Sequence, residues 1–194
     1  MYAFVLALAI IIPFPLCLFR MKKYNISFAK MLVIYVLTSC IGASGAFIGS
    51  ALAGGSIFGM RLYGLMIFDF VGMFLLSILL KINIGKLGDF VAPPLMAVCF
   101  SAKIACLVSD CCYGFVISQP QGQEPIRFPS VLFEMTLWLV FTVLLLVLEK
   151  SGKSKNALWP LTLIWFGIAR YFADLLRGLE INQSATYGYE IYSG

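Results

Sequence analysis

The chain has 194 residues, 61% hydrophobic and 12% charged, with a net charge of +5 and a mean hydropathy of +0.96. A soluble domain of this size is about 25% charged, so the composition excludes an ordinary water-soluble globule and points to an integral membrane protein surrounded by a lipid bilayer. The basic residues are dispersed among apolar runs and form no stripe, which argues against nucleic acid as a partner. With no histidine in the chain, a His-dependent triad is excluded. Cysteines in Cys-x-x-Cys spacing are also lacking, so no metal site is expected.

Six apolar runs follow in chain order: Tyr2–Phe19, Met31–Ala53, Tyr63–Leu80, Phe90–Val108, Val131–Leu148 and Leu158–Leu176. Each approaches the ~20 residues that cross ~30 Å of hydrocarbon at 1.5 Å per residue. With no water in the bilayer core, helices are the spanning element for such runs. The predicted fold is an all-α, polytopic membrane helix bundle of about six transmembrane helices, making one integral-membrane domain over residues 1–194.

The first run carries Pro13 and Pro15, and the charges Arg20, Lys22 and Lys23 come after it. A secretory signal has its charges first, so this order places the N-terminus outside and the first connection in the cytoplasm. The second run carries Gly42, Gly45, Gly49 and Ala53, small-residue spacing that lets helices pack closely. Asp69 lies deep in the third. Pro93 and Pro94 follow Asp89 and are expected in the first turn of the fourth helix, where missing amides matter least. Prolines within a span need neighbours that satisfy the freed carbonyls. The fourth run ends in Ser109-Asp110-Cys111-Cys112-Tyr113-Gly114, whose adjacent cysteines read as lining groups because a bond between neighbours is strained. Ser118 to Gln123 reads as an external loop, and the tail Gly178–Gly194 as a segment lying along the outer interface.

The fourteen cations divide into two groups. Arg20, Lys22, Lys23, Lys30, Lys81, Lys86, Lys150, Lys153 and Lys155 fall in or beside every second connection, as the positive-inside rule requires of cytoplasmic loops. Arg61, Lys103, Arg127, Arg170 and Arg177 lie on the other side or within the outer ends of the runs. An intramembrane cation costs ~2.5–3.5 kcal/mol at a helix centre and is a functional-site hypothesis by default. Arg170, Asp174 and Arg177 are spaced i, i+4 and i+7 and line one helical face. Lys103 lies roughly 7–8 Å from the outer end of its helix at helical rise. Glu134, one turn into the fifth helix, sits at comparable depth, and Arg61 and Tyr63 begin the third helix at that level. Each has a bland explanation: an Arg–Asp pair stitches helices, and a lysine stem snorkels. Together they describe an anion site near the outer membrane surface, suited to a lipid head group.

Assembled, these segments resemble the prolipoprotein diacylglyceryl transferases of bacterial membranes. The matching pieces are Leu62-Tyr63-Gly64-Leu65, Gly88-Asp89-Phe90-Val91-Ala92-Pro93, Ala102-Lys103-Ile104 through Tyr113-Gly114, Arg127-Phe128-Pro129-Ser130-Val131-Leu132-Phe133-Glu134, and Phe166 through Arg177. The resemblance implies a multi-pass protein of the bacterial inner membrane. Its reaction moves the diacylglyceryl group of phosphatidylglycerol onto the lipobox cysteine thiol of a prolipoprotein at the outer face, without a cofactor. It further implies that Tyr63, Lys103 and Arg170 are catalytic and that Lys103, Arg170, Arg177, Glu134 and Asp174 bind the substrate. Lys103 stands where the family pattern has arginine, whose planar fork grips phosphate in a way lysine does not copy. Tyr63 stands where the best-known members have histidine, Cys106 where there is asparagine, and Phe166 where there is tyrosine. The family's N-terminal tyrosine–glycine–leucine segment and its seventh helix have no counterpart in the pattern, so a short, divergent member is expected.

Two other readings compete. One is a catalytically inactive relative that binds anionic phospholipid or a lipoprotein precursor. The other is a small-solute channel or transporter, for which Asp69 is the best sign; such a pathway needs polar groups on both sides of the midplane.

Overall fold

The computed structural model describes residues 11–52, 62–108, 114–118, 120, 124–152 and 155–187; the side chains of Leu62, Ala105 and residues 177–187 lie outside the description. In chain order the helices are α1 (Phe14–Met21), α2 (Phe28–Leu52), α3 (Leu62–Leu80), α4 (Ile84–Val108), α5 (Ser130–Ser151) and α6 (Leu158–Tyr187). A two-stranded antiparallel ribbon, β1 (Val116–Ser118) and β2 (Ile126–Arg127), lies between α4 and α5. By length and composition α2, α3, α4 and α5 each contain a stretch able to cross a membrane. On α3, Met66, Asp69, Met73 and Leu76 are buried, while Ile67, Phe70, Val71, Phe74 and Ile78 are exposed. That is helical periodicity with apolar side chains on both faces, the pattern of a helix solvated by lipid. The protein is an all-α, multi-pass membrane helix bundle.

The chain divides into two compact units. One comprises Pro13–Pro94 with Val147–Trp159. Here α2 and α3 pack through their glycines: a Cβ on Gly64 would collide with the carbonyl oxygen of Gly45, and one on Gly45 with Phe68. Only glycine allows this backbone approach. The end of α3 is closed by Lys81 in the left-handed region (φ 52°), with the Ile82 amide donating to the Ser77 carbonyl at 3.1 Å, a Schellman cap.

Two expectations change here. Helix α4 begins at Ile84 rather than Phe90, capped by Asn83, whose Oδ1 accepts from the Gly85 amide at 2.9 Å. Pro93 and Pro94 are therefore inside the helix, not in its first turn. A proline in a helix interior costs ~3 kcal/mol, in part because the carbonyl four residues earlier loses its donor. Those carbonyls belong to Asp89 and Phe90, and both are taken up by one side chain. Arg20 donates from Nη2 to the Asp89 carbonyl at 2.7 Å and from Nη1 to the Phe90 carbonyl at 2.6 Å. Its Nε donates to Glu149 at 3.0 Å, and the guanidinium is buried. Hydrogen bonds from a charged donor are worth ~1.5–3 kcal/mol each, enough to offset the helix interruption. Arg20 is thus a buried structural residue as well as a member of the expected cytoplasmic charge group.

Asp89 itself reaches forward. Its carboxylate accepts from the amides of Asn156 (2.5 Å) and Leu158 (2.9 Å), satisfying orphan donors at the start of α6. Gly88 makes room for Trp159, which a Cβ would meet at 2.8 Å. Residues 84–89, which read as a connection, are the first turns of α4, where Gly85, Gly88 and Asp89 receive Asn156 and the start of α6.

The second unit comprises Met1–Ile12, Leu95–Leu146 and Pro160–Gly194. Trp138 of α5 stacks on Phe166 of α6, and Phe141 on Trp165. Helix α6 continues to Tyr187, so the first ten residues of the expected interfacial tail are helical. Leu, Glu, Gln and Ala in that stretch are good helix formers and no proline interrupts them. The ribbon is fastened to this unit: the Phe115 amide donates to the Leu176 carbonyl at 3.3 Å and the Phe128 amide to the Phe115 carbonyl at 2.9 Å. Phe115 and Phe128 stack at 5.4 Å, and Phe128 meets Phe133 edge-on.

Candidate functional site

Three helices of the second unit each contribute to one ion cluster. Glu134 enters from the first turns of α5, immediately after Phe133 has been fixed by the aromatic base of the ribbon. Lys103 enters from α4, and Arg170 with Asp174 from α6. Lys103 Nζ lies 2.7 Å from Glu134 Oε2, and Arg170 Nη1 lies 3.5 Å from the same oxygen. Arg170 Nη2 also pairs with Asp174 Oδ1 one turn along α6. Glu134 is 1% exposed and Lys103 7%, whereas the Asp174 side chain is 39% exposed. The cluster therefore runs from a dry junction at Glu134 to a wetter edge at Asp174.

Two cations and two carboxylates make this cluster formally neutral. Desolvating an ion costs several kcal/mol, and removing one partner of a buried pair costs ~3–5 kcal/mol. Glu134 is what lets Lys103 and Arg170 be present together at this burial, because one oxygen faces both cations. Their contacts are unequal: Lys103 makes the close one, and Arg170 divides its guanidinium between Glu134 and Asp174. The ion-pair partners of Lys103 and Arg170 in this cluster are side-chain carboxylates, and an entering anion can compete with carboxylates for the same N–H donors.

Of the residues expected at the site, Lys103, Glu134, Arg170 and Asp174 are brought together. Arg177 lies on α6 seven residues beyond Arg170, with its side chain outside the description, and Arg61 lies outside the described residues altogether. Cys111 and Cys112 also lie outside them. Tyr63 belongs to the other unit, in the first turn of α3, where its side chain is half exposed. Cys106 is half-buried on α4, one turn from Lys103. Arg127 is exposed on β2.

One turn below the ions is a residue whose role only the structure brings out. Trp138 follows Glu134 by four positions on α5, and Phe166 precedes Arg170 by four on α6, so each shares its neighbour's helical face. Their rings stack at 5.7 Å with 25° between planes, forming an aromatic floor under the cluster. Trp138 is fully buried, yet its indole Nε1 has no hydrogen-bond acceptor among the described residues. An uncharged residue leaves no mark in the sequence beyond its i+4 spacing from Glu134. Asp69 is another buried polar group left unsatisfied. It lies in the first unit against Gly42, with no partner for Oδ1 among the described residues.

Residues 1–189 match the family described as prolipoprotein diacylglyceryl transferase. A curated relative from Clostridium perfringens (strain 13 / Type A), named phosphatidylglycerol–prolipoprotein diacylglyceryl transferase 2, is 27% identical over 129 residues. That similarity covers 61% of this chain and 50% of the relative, so the chain spans about half the relative's length. Across nearly its whole extent, this chain belongs to the prolipoprotein diacylglyceryl transferase family.

Proposed function

We propose that the protein transfers the diacylglyceryl group of phosphatidylglycerol to the lipobox cysteine of a prolipoprotein, at the outer face of the bacterial inner membrane. The observation that carries the proposal is the meeting of Lys103 and Arg170 at Glu134, from separate helices, in a buried cluster. Family membership supplies the reaction class; the cluster supplies a means of doing it.

In that reaction the acceptor sulfur forms a bond to a glyceryl carbon, and the bond from that carbon to the phosphate oxygen breaks. The electron pair leaves with glycerol phosphate, and the thiol proton passes to a base. The barrier is lowered by donors aimed at the oxygen where charge develops, an effect worth ~10²–10³ in rate for a single donor. Lys103 and Arg170 serve as those donors. Glu134 and Asp174 hold them ready in the absence of lipid, and the phosphodiester replaces carboxylate contacts as it enters. Arg177 is assigned to substrate binding on the strength of its motif position. Tyr63 keeps its catalytic assignment on the strength of its motif position, taking the thiol proton only as the phenolate, and no step calls for a cofactor. Residues 1–194 act in this reading as one integral-membrane domain with two substrates, the lipid and the precursor peptide.

The test is turnover. Membranes containing the protein, phosphatidylglycerol and a lipobox peptide should yield a thioether-linked product, detected by mass spectrometry, together with glycerol phosphate. Lipid binding without product, from folded protein, would replace this reading with that of an inactive lipid-binding relative.

A further inference from the structure

The aromatic floor beneath the ion cluster has one feature that packing does not explain. A Trp–Phe stack is served as well by two phenylalanines, and phenylalanine leaves no donor stranded. Trp138 nevertheless places an indole N–H in a dry position, without an acceptor among the described residues. The indoles of Trp159 and Trp165 share that lack, but Trp138 is the most deeply buried of the three and the one on the ion cluster's own helical face. It lies four residues, or about 6 Å at helical rise, below Glu134. In a diacylglycerophospholipid the groups at that depth beneath the phosphate are the ester oxygens of the glyceryl unit.

We infer that Trp138 is a lipid-contacting specificity residue, whose Nε1–H donates to an ester carbonyl of the phospholipid while Lys103 and Arg170 hold its phosphate. The inference rests on the proposed function and adds the chemical feature that the site reads below the phosphate. Access comes through the stack itself. The Trp138–Phe166 stack, at 5.7 Å and 25° from parallel, is less close than the next layer, Phe141–Trp165, whose rings lie 4.7 Å apart and 8° from parallel. The upper pair is the one that parts to admit a carbonyl, and the new hydrogen bond offsets the cost of unstacking the rings. Thr142 steadies the same turn of α5 by donating to the Trp138 carbonyl at 2.8 Å, so the indole, not the backbone, is what moves.

The test compares phosphatidylglycerol carrying ester-linked chains with its ether-linked analogue, which keeps the phosphate and lacks the carbonyls. Binding of each is measured to the full-length protein in lipid nanodiscs, without acceptor peptide. Wild type should prefer the ester lipid by about two- to tenfold, the range of one hydrogen bond. Trp138→Phe should lose that preference while keeping wild-type affinity for the ether lipid, which also shows that the variant is folded. Lys103→Ala should weaken both lipids by a similar factor and leave the ester preference intact. Saturable binding with no ester preference in wild type, or with the same preference in Trp138→Phe, overturns the inference and leaves the proposed function standing. Absence of saturable binding of either lipid overturns both.

Discussion

Arg20 and Arg170 are both arginines set into apolar helices with little exposure, and burial alone does not tell them apart. Their partners do. Arg20 donates to two backbone carbonyls that Pro93 and Pro94 have released, as well as to Glu149. Backbone carbonyls are fixed, and no ligand replaces them without undoing α4. In the ion pairs seen for Arg170, the partners are the carboxylates of Glu134 and Asp174, and Lys103 likewise faces Glu134. Carboxylates can yield their donors to a phosphate. A buried cation that completes the main chain is part of the scaffold, and the proposed function assigns the substrate phosphate to the cations that meet at Glu134.

The contrast is broken most severely at Arg20. Arg20→Ala strands two carbonyls and leaves Glu149 buried without its closest cation, so a loss of ~3–5 kcal/mol in stability is expected. Thermal unfolding in detergent would show it as a large fall in Tm. Removing Lys103 or Arg170 should act on rate instead. Each alanine variant is expected to lose ~10²–10³ in turnover. Its fall in Tm should be smaller than that of Arg20→Ala, because Glu134 keeps one of its two cations. A loss of stability equal to that of Arg20→Ala would erase the distinction.

Lys103→Arg sharpens the comparison from the other direction. A planar fork grips phosphate better than a point charge, so turnover or lipid affinity should be preserved or raised, read as KM for phosphatidylglycerol. The smallest effect is expected at Asp69. A carboxylate held in an apolar environment is costly, and Asn of the same shape relieves that cost. Asp69→Asn should be at least as stable as wild type and retain turnover. Solute flux through wild-type vesicles that Asp69→Asn abolishes would revive the channel-like reading, in which Asp69 lines a path.

Much of the fold is legible in the sequence because lipid imposes a length and a composition on each span. Each described helix overlaps an apolar run, with α4 starting earlier and α6 ending later than expected, and Gly42, Gly45 and Gly49 mark the close contact of α2 with α3. What escapes is information about partners. Residues 84–89 look like a connection because two glycines and two charges interrupt the apolar pattern, yet Gly88 and Asp89 accommodate Trp159 and the first amides of α6. Arg20 fits the positive-inside pattern by its place in the chain, and nothing local shows that its guanidinium completes a proline-broken helix seventy residues away. At the site, the common depth of Lys103, Glu134 and Arg170 could be read from helical rise. Their sharing of one carboxylate oxygen could not, since it depends on how three helices rotate about their axes. Trp138 is silent in sequence for the same reason: its significance is an unmade hydrogen bond.

In the proposed reaction Lys103 and Arg170 act on the substrate phosphate, while Arg20 acts only on the fold. The direct measurement is the rate of glycerol phosphate release from phosphatidylglycerol, with a lipobox peptide, per folded molecule of Arg20→Ala and Arg170→Ala. The expected result is a near wild-type rate per folded molecule for Arg20→Ala and a fall of ~10²–10³ for folded Arg170→Ala. An undiminished rate in Arg170→Ala, or equal losses per folded molecule in the two variants, would contradict the account.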